Sequence, residues 1–227
     1  MIAYRINPDL ISLERFWQLL RERKMLPGRV ILQQQMEQRF EILHKAGISS
    51  LGTLLRVLGS GSKLEAFSGA SGLGQEYLVL LKREAASYLA RPFPLSTFPG
   101  VPFEFTEVMK TRGIANTRDF FERVQTGEQQ RNVSRVTGIP VARLKEIHAL
   151  CDLSRVTGVG AVFARILYET GIHSVGEVAS TGAEQLYQRC MNVIETRGYA
   201  AGHFSEGDIR YCIEYARVVV EADAKAA

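Results

Sequence analysis

Glycine marks this chain at repeated intervals. The pentapeptide SRVTG occurs at residues 134–138 and again at 154–158. The dipeptide Gly-Ile occurs at Gly47-Ile48, Gly113-Ile114 and Gly171-Ile172, spaced 66 and 58 residues apart. Shifting residues 47–81 by 66 lays GISSLGTLLRVL on GIANTRDFFERV, and FSGASGLGQEYLVLL on VSRVTGIPVARLKEI. Shifting residues 95–114 by 58 lays LSTFPGVPFEFTEVMKTRGI on LSRVTGVGAVFARILYETGI. A chain that repeats its turns at intervals of this size is built by stacking one small unit, not from one long irregular topology.

The repeated unit reads as two turns and two helices. A turn of the form Gly-apolar-Gly/Pro opens a helix of about ten residues, with the apolar residue packed inward. That helix stops at a Gly, which adopts the left-handed conformation that closes helices. An Ile then buries itself, and Ser or Asn caps the next helix. SRVTG leads into the bend at Gly158-Val159-Gly160, SRVTGIP into the bend at Gly138, STFPGVP into a third and SGASGLG into a fourth. Pro140 suits the first helical turn, where a missing N–H costs nothing, and Ala164 lets neighbouring helices approach. The apolar spacing is helical, as in Phe163, Ile166, Leu167 and in Leu144, Ile147, Leu150, and hardly any stretch alternates with period two. The fold class expected is all-α. An N-terminal helix with Leu10, Leu13, Trp17 and Leu20 on one stripe is broken at Leu26-Pro27-Gly28. A long helix follows from Val30 to Ala46. A last helix opens at Ser205 and runs to about Glu221, before a small polar tail.

Charge is distributed unevenly. The net charge is +4, but residues 1–150 sum to +7 and residues 151–227 to −3. A nucleic-acid face, if present, is expected on the first two thirds. No apolar run suggests a membrane span, and MIAYRINPDL lacks an export-signal pattern. The three cysteines, Cys151, Cys190 and Cys212, contain no CxxC pair and read as free thiols, so a cytoplasmic location is expected.

At the glycine turns the chain resembles the helix-hairpin-helix family, whose pattern is apolar-x-Gly-apolar-Gly-x-x-x-Ala-x-x-Leu followed by Gly-Ile. Val156, Gly158, Val159, Gly160, Ala164, Leu167, Gly171 and Ile172 match it. More specifically, MLPGR at 25–29, the FPGV turn and LSRVTGVGAVFARILYETGIHSVGEVA resemble a bacterial family of unknown function with duplicated helix-hairpin-helix units. The resemblance covers residues from about 25 to 220. It implies that backbone N–H groups of a hairpin, and of the helix after it, meet a DNA phosphate without reading bases. Helix N-termini supply the unpaired donors and partial positive charge for this. The positions implied are Gly158 and Gly160, and Gly138 with Val141. Arg135 and Arg155, three residues before each glycine, would add charge, as would Arg131 and Arg143. Thr137 and Thr157 would donate through their hydroxyls. Ala161-Val162-Phe163 follow the second hairpin, an apolar run suited to burial. A second basic feature gathers Arg15, Arg21, Arg23, Lys24 and Arg29.

No catalytic constellation emerges. His44, His148, His173 and His203 form no metal-ligand pair with one another or with a cysteine, and His148 and Cys151 lack a second pair. After the bend at 158–160 come Glu169 and Glu177, with no Asp until Asp208, which does not make the Asp–Lys arrangement of a base-excision glycosylase. GSGS at 59–62 and SGASGLG at 68–74 lack a following GK[ST] and read as loops between short helices, not as a phosphate loop. The sequence therefore predicts an N-terminal helical region over 1–92, a tandem hairpin region over 93–222 and a tail over 223–227. The function expected is non-enzymatic, sequence-independent DNA binding without cofactor or membrane. A protein–protein scaffold with buried hairpins is the alternative.

Overall fold

The computed structural model describes residues 1–25, 27–199 and 204–226. Among them it is all-helical, with thirteen α-helices, three short 3-10 helices and no strand. Two compact units emerge. One comprises Asn7–Leu89; the other joins Met1–Ile6 to Ala90–Lys225.

In the Asn7–Leu89 unit, α1 spans Leu13–Glu22, α2 Met36–Lys45, α3 Leu51–Val57, α4 Gly61–Ser71 and α5 Gln75–Ser87. The buried stripe of α1 is Leu13, Phe16, Leu19 and Leu20. Trp17 lies half-buried at its edge and Leu10 lies outside the helix, so the expected stripe is rotated by about one position. The long helix expected over 30–46 is broken. Pro27–Gln33 is a 3-10 helix, and Gln35 adopts φ +49° before α2 begins. The break lets Gln33 Nε2 donate to Leu20 O and Arg23 O at the end of α1, at 2.8 and 2.7 Å. Those terminal carbonyls would otherwise lack partners. Residues 61–62 and 68–71, read as parts of two glycine-rich loops, belong to α4, whose start Ser60 Oγ caps by accepting from the Lys63 N–H at 3.2 Å. Glu84 is fully buried and holds both Arg23 and Arg29, which removes two arginines from the basic N-terminal feature.

The second unit contains α6 (Phe103–Thr111), α7 (Thr117–Arg123), α8 (Gly127–Thr137), α9 (Val141–Leu153), α10 (Ala161–Glu169), α11 (Val175–Ser180), α12 (Ala183–Arg197) and α13 (Glu206–Ala226). Helix α9 packs on α7, α8 and α10 and is the centre of the unit. Its buried residues include Leu144, Ile147, Leu150, Cys151 and Leu153. Helix α13 continues past Glu221, because Ala222 is buried and Asp223 has a partner described below. Ser205 at its start pairs with Asp208.

The repeats are visible in atomic detail. Gly47, Gly113 and Gly171 lie at φ +78°, +73° and +87°, where a side chain on Cβ would be strained. The N–H of the next residue then reaches back five positions: Ile48 to Leu43 O, Ile114 to Met109 O and Ile172 to Leu167 O, at 3.1, 3.0 and 3.2 Å. This is the Schellman closure. All three isoleucines are buried. Ser50, Asn116 and Ser174 then cap α3, α7 and α11 through their side chains, at 3.1, 2.9 and 3.2 Å. The second turn type recurs four times. Gly72, Gly100, Gly138 and Gly158 have φ +72°, +76°, +73° and +87°. Leu73, Ile139 and Val159 after them are buried, and Val101 is half-buried. Helices α5, α6, α9 and α10 follow.

A shared strut supports the repeats. Leu13 N donates to Ser49 O and Leu51 N to Ile11 O, at 2.9 and 3.0 Å. Leu95 N donates to Ala115 O and Thr117 N to Phe93 O, at 3.3 and 3.0 Å. In the third copy the corresponding N–H, that of Val175, is met by the Asp152 carboxylate at 2.9 Å.

Two glycines in one unit separate conformational strain from helix propensity. Gly72 and Gly69 both face open space, but only Gly72 has positive φ. Gly72→Ala is expected to lower the stability of the Asn7–Leu89 unit by about 1–2 kcal/mol. Gly69→Ala is expected to raise it by roughly 0.5–1 kcal/mol. Urea unfolding followed by circular dichroism checks the opposite signs.

Candidate nucleic-acid interface

The two SRVTG segments fold differently. In the first, Ser134 to Thr137 form the last turn of α8, which Gly138 closes by donating to Ser134 O at 2.8 Å. In the second, Ser154 is already the C-cap of α9, and residues 154–158 turn beyond it. There Arg155 N meets Asp152 O at 2.9 Å and Val156 N meets Leu153 O at 3.2 Å.

The side chains diverge accordingly. Arg135 is exposed, and its Nη2 donates to Asn132 Oδ1 at 3.4 Å. Arg155 points inward and is 3% exposed. Its Nη2 donates to both Asp223 oxygens at 2.6 and 2.7 Å, its Nη1 to Asp152 Oδ1 at 2.9 Å and its Nε to Tyr4 O at 3.1 Å. The guanidinium also lies over the Phe121 ring, 4.8 Å from its centroid. Arg155 is therefore not a phosphate ligand, which corrects the sequence expectation. Two carboxylates, a carbonyl and an aromatic face hold it inside. Tyr4 continues the cluster, its hydroxyl lying 3.0 Å from both Ser154 Oγ and Thr117 Oγ1. Burial pushes the Tyr4 phenol up, against hydrogen bonds from Ser154 and Thr117.

Around Gly138 the implied residues remain accessible. Gly138, Arg131, Arg135 and Arg143 are exposed; Val141 and Thr137 are half-buried. Arg131 and Arg135 are four apart on α8 and share a face. The first helical bond of α9 is Arg143 N to Pro140 O, at 2.9 Å. Among the described residues the N–H groups of Val141 and Ala142 thus have no partner at the helix N-terminus. The Thr137 hydroxyl donates to Val133 O at 2.6 Å and accepts from Ile139 N at 3.3 Å, so it builds the turn. Arg143 Nη1 bonds Glu146 Oε2 at 2.7 Å, and Arg165 Nη1 takes the other oxygen at 2.7 Å. Burial of Glu146 opposes its ionisation, but the bonds from Arg143 and Arg165 outweigh this and hold its carboxyl below the usual range.

Sequence reading missed Arg112. It is the C-cap of α6, exposed, and its Nη2 reaches Val136 O at the end of α8, at 3.3 Å. Twenty-four residues separate the pair, and the only local signal was its place just before the Gly113 turn. At the other turn, Gly158 and Gly160 are exposed, Thr157 is half-buried and Val162 is 37% exposed. The run 161–163 is only partly covered, with Phe163 against Phe204, ring centroids 5.3 Å apart.

The remaining titratable residues are structural in their surroundings. His148 stacks on Phe121, centroids 5.1 Å apart, with Nε2 buried and unpartnered. Burial lowers its pKa. Cys151 is pushed well above the ordinary thiol value by burial, and Cys190 and Cys212 up to about 12. Among the described residues no three His, Cys, Asp or Glu side chains gather to hold a metal, and no helix is long and apolar enough to cross a membrane. His203 lies outside the described residues.

The architecture defines an all-helical protein assembled from recurrent glycine-closed turns. The model of the family described as Domain of unknown function (DUF4332) matches residues 99–218, more than half of the 227 residues, and the chain belongs to that family. No curated protein and no solved structure matches it.

Two outcomes follow from this geometry. Arg155→Ala leaves Asp223 and Asp152 without their cation and is expected to cost about 3–5 kcal/mol, whereas Arg135→Ala should stay within about 0.5 kcal/mol; thermal unfolding of both variants compares them. Burial lowers the pKa of His148 in the fold, whereas the unfolded chain protonates it near its ordinary value. The stability this contributes is present above about 6.5 and is lost progressively as pH falls below that, down through the folded value. Replacing it with Phe is expected to flatten the pH dependence of the unfolding free energy between pH 7.5 and 5.5 by no more than about 1.4 kcal/mol per pH unit, read by urea unfolding at each pH. Unchanged curvature in the variant would assign the slope to another group.

Proposed function

We propose that the protein binds nucleic acid, DNA in the first instance, without base specificity and without catalysis, through the turn at Gly138. The observation that carries this reading is the coincidence of two unpaired N–H groups, at Val141 and Ala142, with exposed Arg131, Arg135 and Arg143 around one glycine turn. Arg112, drawn to the end of α8, adds a fourth cation. The resemblance to helix-hairpin-helix units supports the same positions. The second hairpin contributes at most the backbone of Gly158 and Gly160, since its arginine serves the core. Helix-terminal donors and arginines recognise phosphate oxygens, so affinity should depend on salt and hardly on sequence.

A protein-docking reading is favoured by one different observation. Phe103 and Val162, near the starts of α6 and α10, are 66% and 37% exposed, and a large apolar side chain displayed beside a turn suits a protein surface.

Fluorescence anisotropy with labelled mixed-sequence duplex and single-stranded DNA, across roughly 20–300 mM salt, decides between them. The expected result is micromolar binding that weakens steeply with salt and is equal for unrelated sequences. Arg131→Glu with Arg135→Glu should reduce it by about tenfold or more while leaving the helical spectrum intact, because each lost phosphate contact also lowers the salt slope by roughly one. Absence of binding at the lowest salt would transfer the assignment to protein docking.

A further inference from the structure

The Asn7–Leu89 unit carries a second surface with the opposite electrostatic character. A groove of about 430 Å³ runs between α1 and α2. Leu13, Trp17 and Phe40 form its apolar lining, Glu14, Glu37 and Glu41 line it with carboxylates, and Gln18 and His44 complete it. The three apolar residues are buried or half-buried, and the three glutamates are exposed.

The acid placement is selective. Residues 1–50 contain eight basic and five acidic side chains, yet three of those five acids, Glu14, Glu37 and Glu41, line this groove. Of the other two, Asp9 is spent on Arg56 at 2.9 Å. Glu41 is paired with Lys45 at 2.7 Å. Glu14 and Glu37 have no ion pair among the described residues. One cation already uses the aromatic floor: the Arg21 guanidinium sits 4.4 Å from the centroid of Trp17, in the geometry of a cation–π contact.

We infer that this groove docks a basic amphipathic segment of a partner protein, with an apolar anchor seated on Leu13, Trp17 and Phe40 and lysine or arginine side chains meeting Glu14 and Glu37. Complementary charge selects the occupant. A polyanion would be repelled by the rim, and a purely apolar segment would leave the two carboxylates unmatched. Helix-in-groove docking of this kind uses apolar anchors for affinity and rim charges for selection among partners. The inference is independent of DNA binding at the Gly138 turn, which lies in the other unit.

The single tryptophan of the chain lies in the groove, so its fluorescence reports on this surface alone. The probe is a synthetic amphipathic peptide of about 15 residues, long enough to become helical on binding, with leucines at helical spacing and lysine and arginine elsewhere. A matched peptide carries glutamate in place of the cations. With the full chain, the basic peptide is expected to give a saturable change in Trp17 emission. The acidic peptide should bind at least about tenfold more weakly, and so should the basic peptide to a Glu14→Gln, Glu37→Gln variant whose Tm is unchanged. A DNA duplex should leave the Trp17 signal unaltered. Equal affinity for the two peptides, no saturable response to the basic one, or unaltered binding by the double variant would each overturn the inference. So would a Trp17 shift that follows protein concentration alone with a dimer mass in light scattering, since the occupant would then be a second copy.

Discussion

The rest of the structure depends on a glycine in the left-handed region followed by an apolar residue that must be buried. Left-handed backbone reverses the chain, and burial of the following side chain fixes the direction in which it leaves. Gly47-Ile48, Gly113-Ile114 and Gly171-Ile172 each solve the same problem. They satisfy the last carbonyls of one helix, seat an isoleucine and hand the chain to a Ser or Asn cap. Among the described residues most helices are shorter than the roughly 15 residues an isolated helix needs to be stable on propensity. Stability comes from stacking helices that the turns have already aimed.

Repetition of the scaffold leaves room for local divergence, and function is read in the divergence. SRVTG ends a helix at 134–138 and follows one at 154–158. In one case its arginine stays in solvent; in the other it becomes the hub of a buried network. Asp152 shows how the switch is made. It replaces the backbone strut of the other two copies by meeting Val175 N, and the same carboxylate holds Arg155. The aspartate that supports the third copy thereby withdraws the arginine from its surface.

The sequence made the turns legible because glycine at positive φ and a buried neighbour are local requirements, visible as Gly-Ile and Gly-apolar-Gly/Pro. It made the helical class legible through apolar period. It misjudged the break at Gln35, where a non-glycine residue adopts φ +49° because Gln33 gains the carbonyls of Leu20 and Arg23. It also placed Arg155 at a surface. The partners that decide Arg155, Tyr4 and Asp223, stand 151 and 68 residues away, beyond the reach of any local pattern. Arg112 escaped notice for the same reason. Of the candidate interface, the part that depends on a turn was readable, and the part that depends on which face a long side chain chooses was not.

The Arg155 cluster also sets an order of events. The Asn7–Leu89 unit is continuous in sequence, so all of its contacts exist once those residues have been made. The other unit draws Tyr4 from one end of its sequence and Asp223 from the other onto the same guanidinium. During synthesis, more than two hundred residues follow Tyr4 before Asp223 arrives to complete the set of partners around Arg155. Contacts of such sequence separation form late and slowly. The nascent chain thus holds every residue of one unit while the central arginine of the other still lacks Asp223, which arrives only with α13.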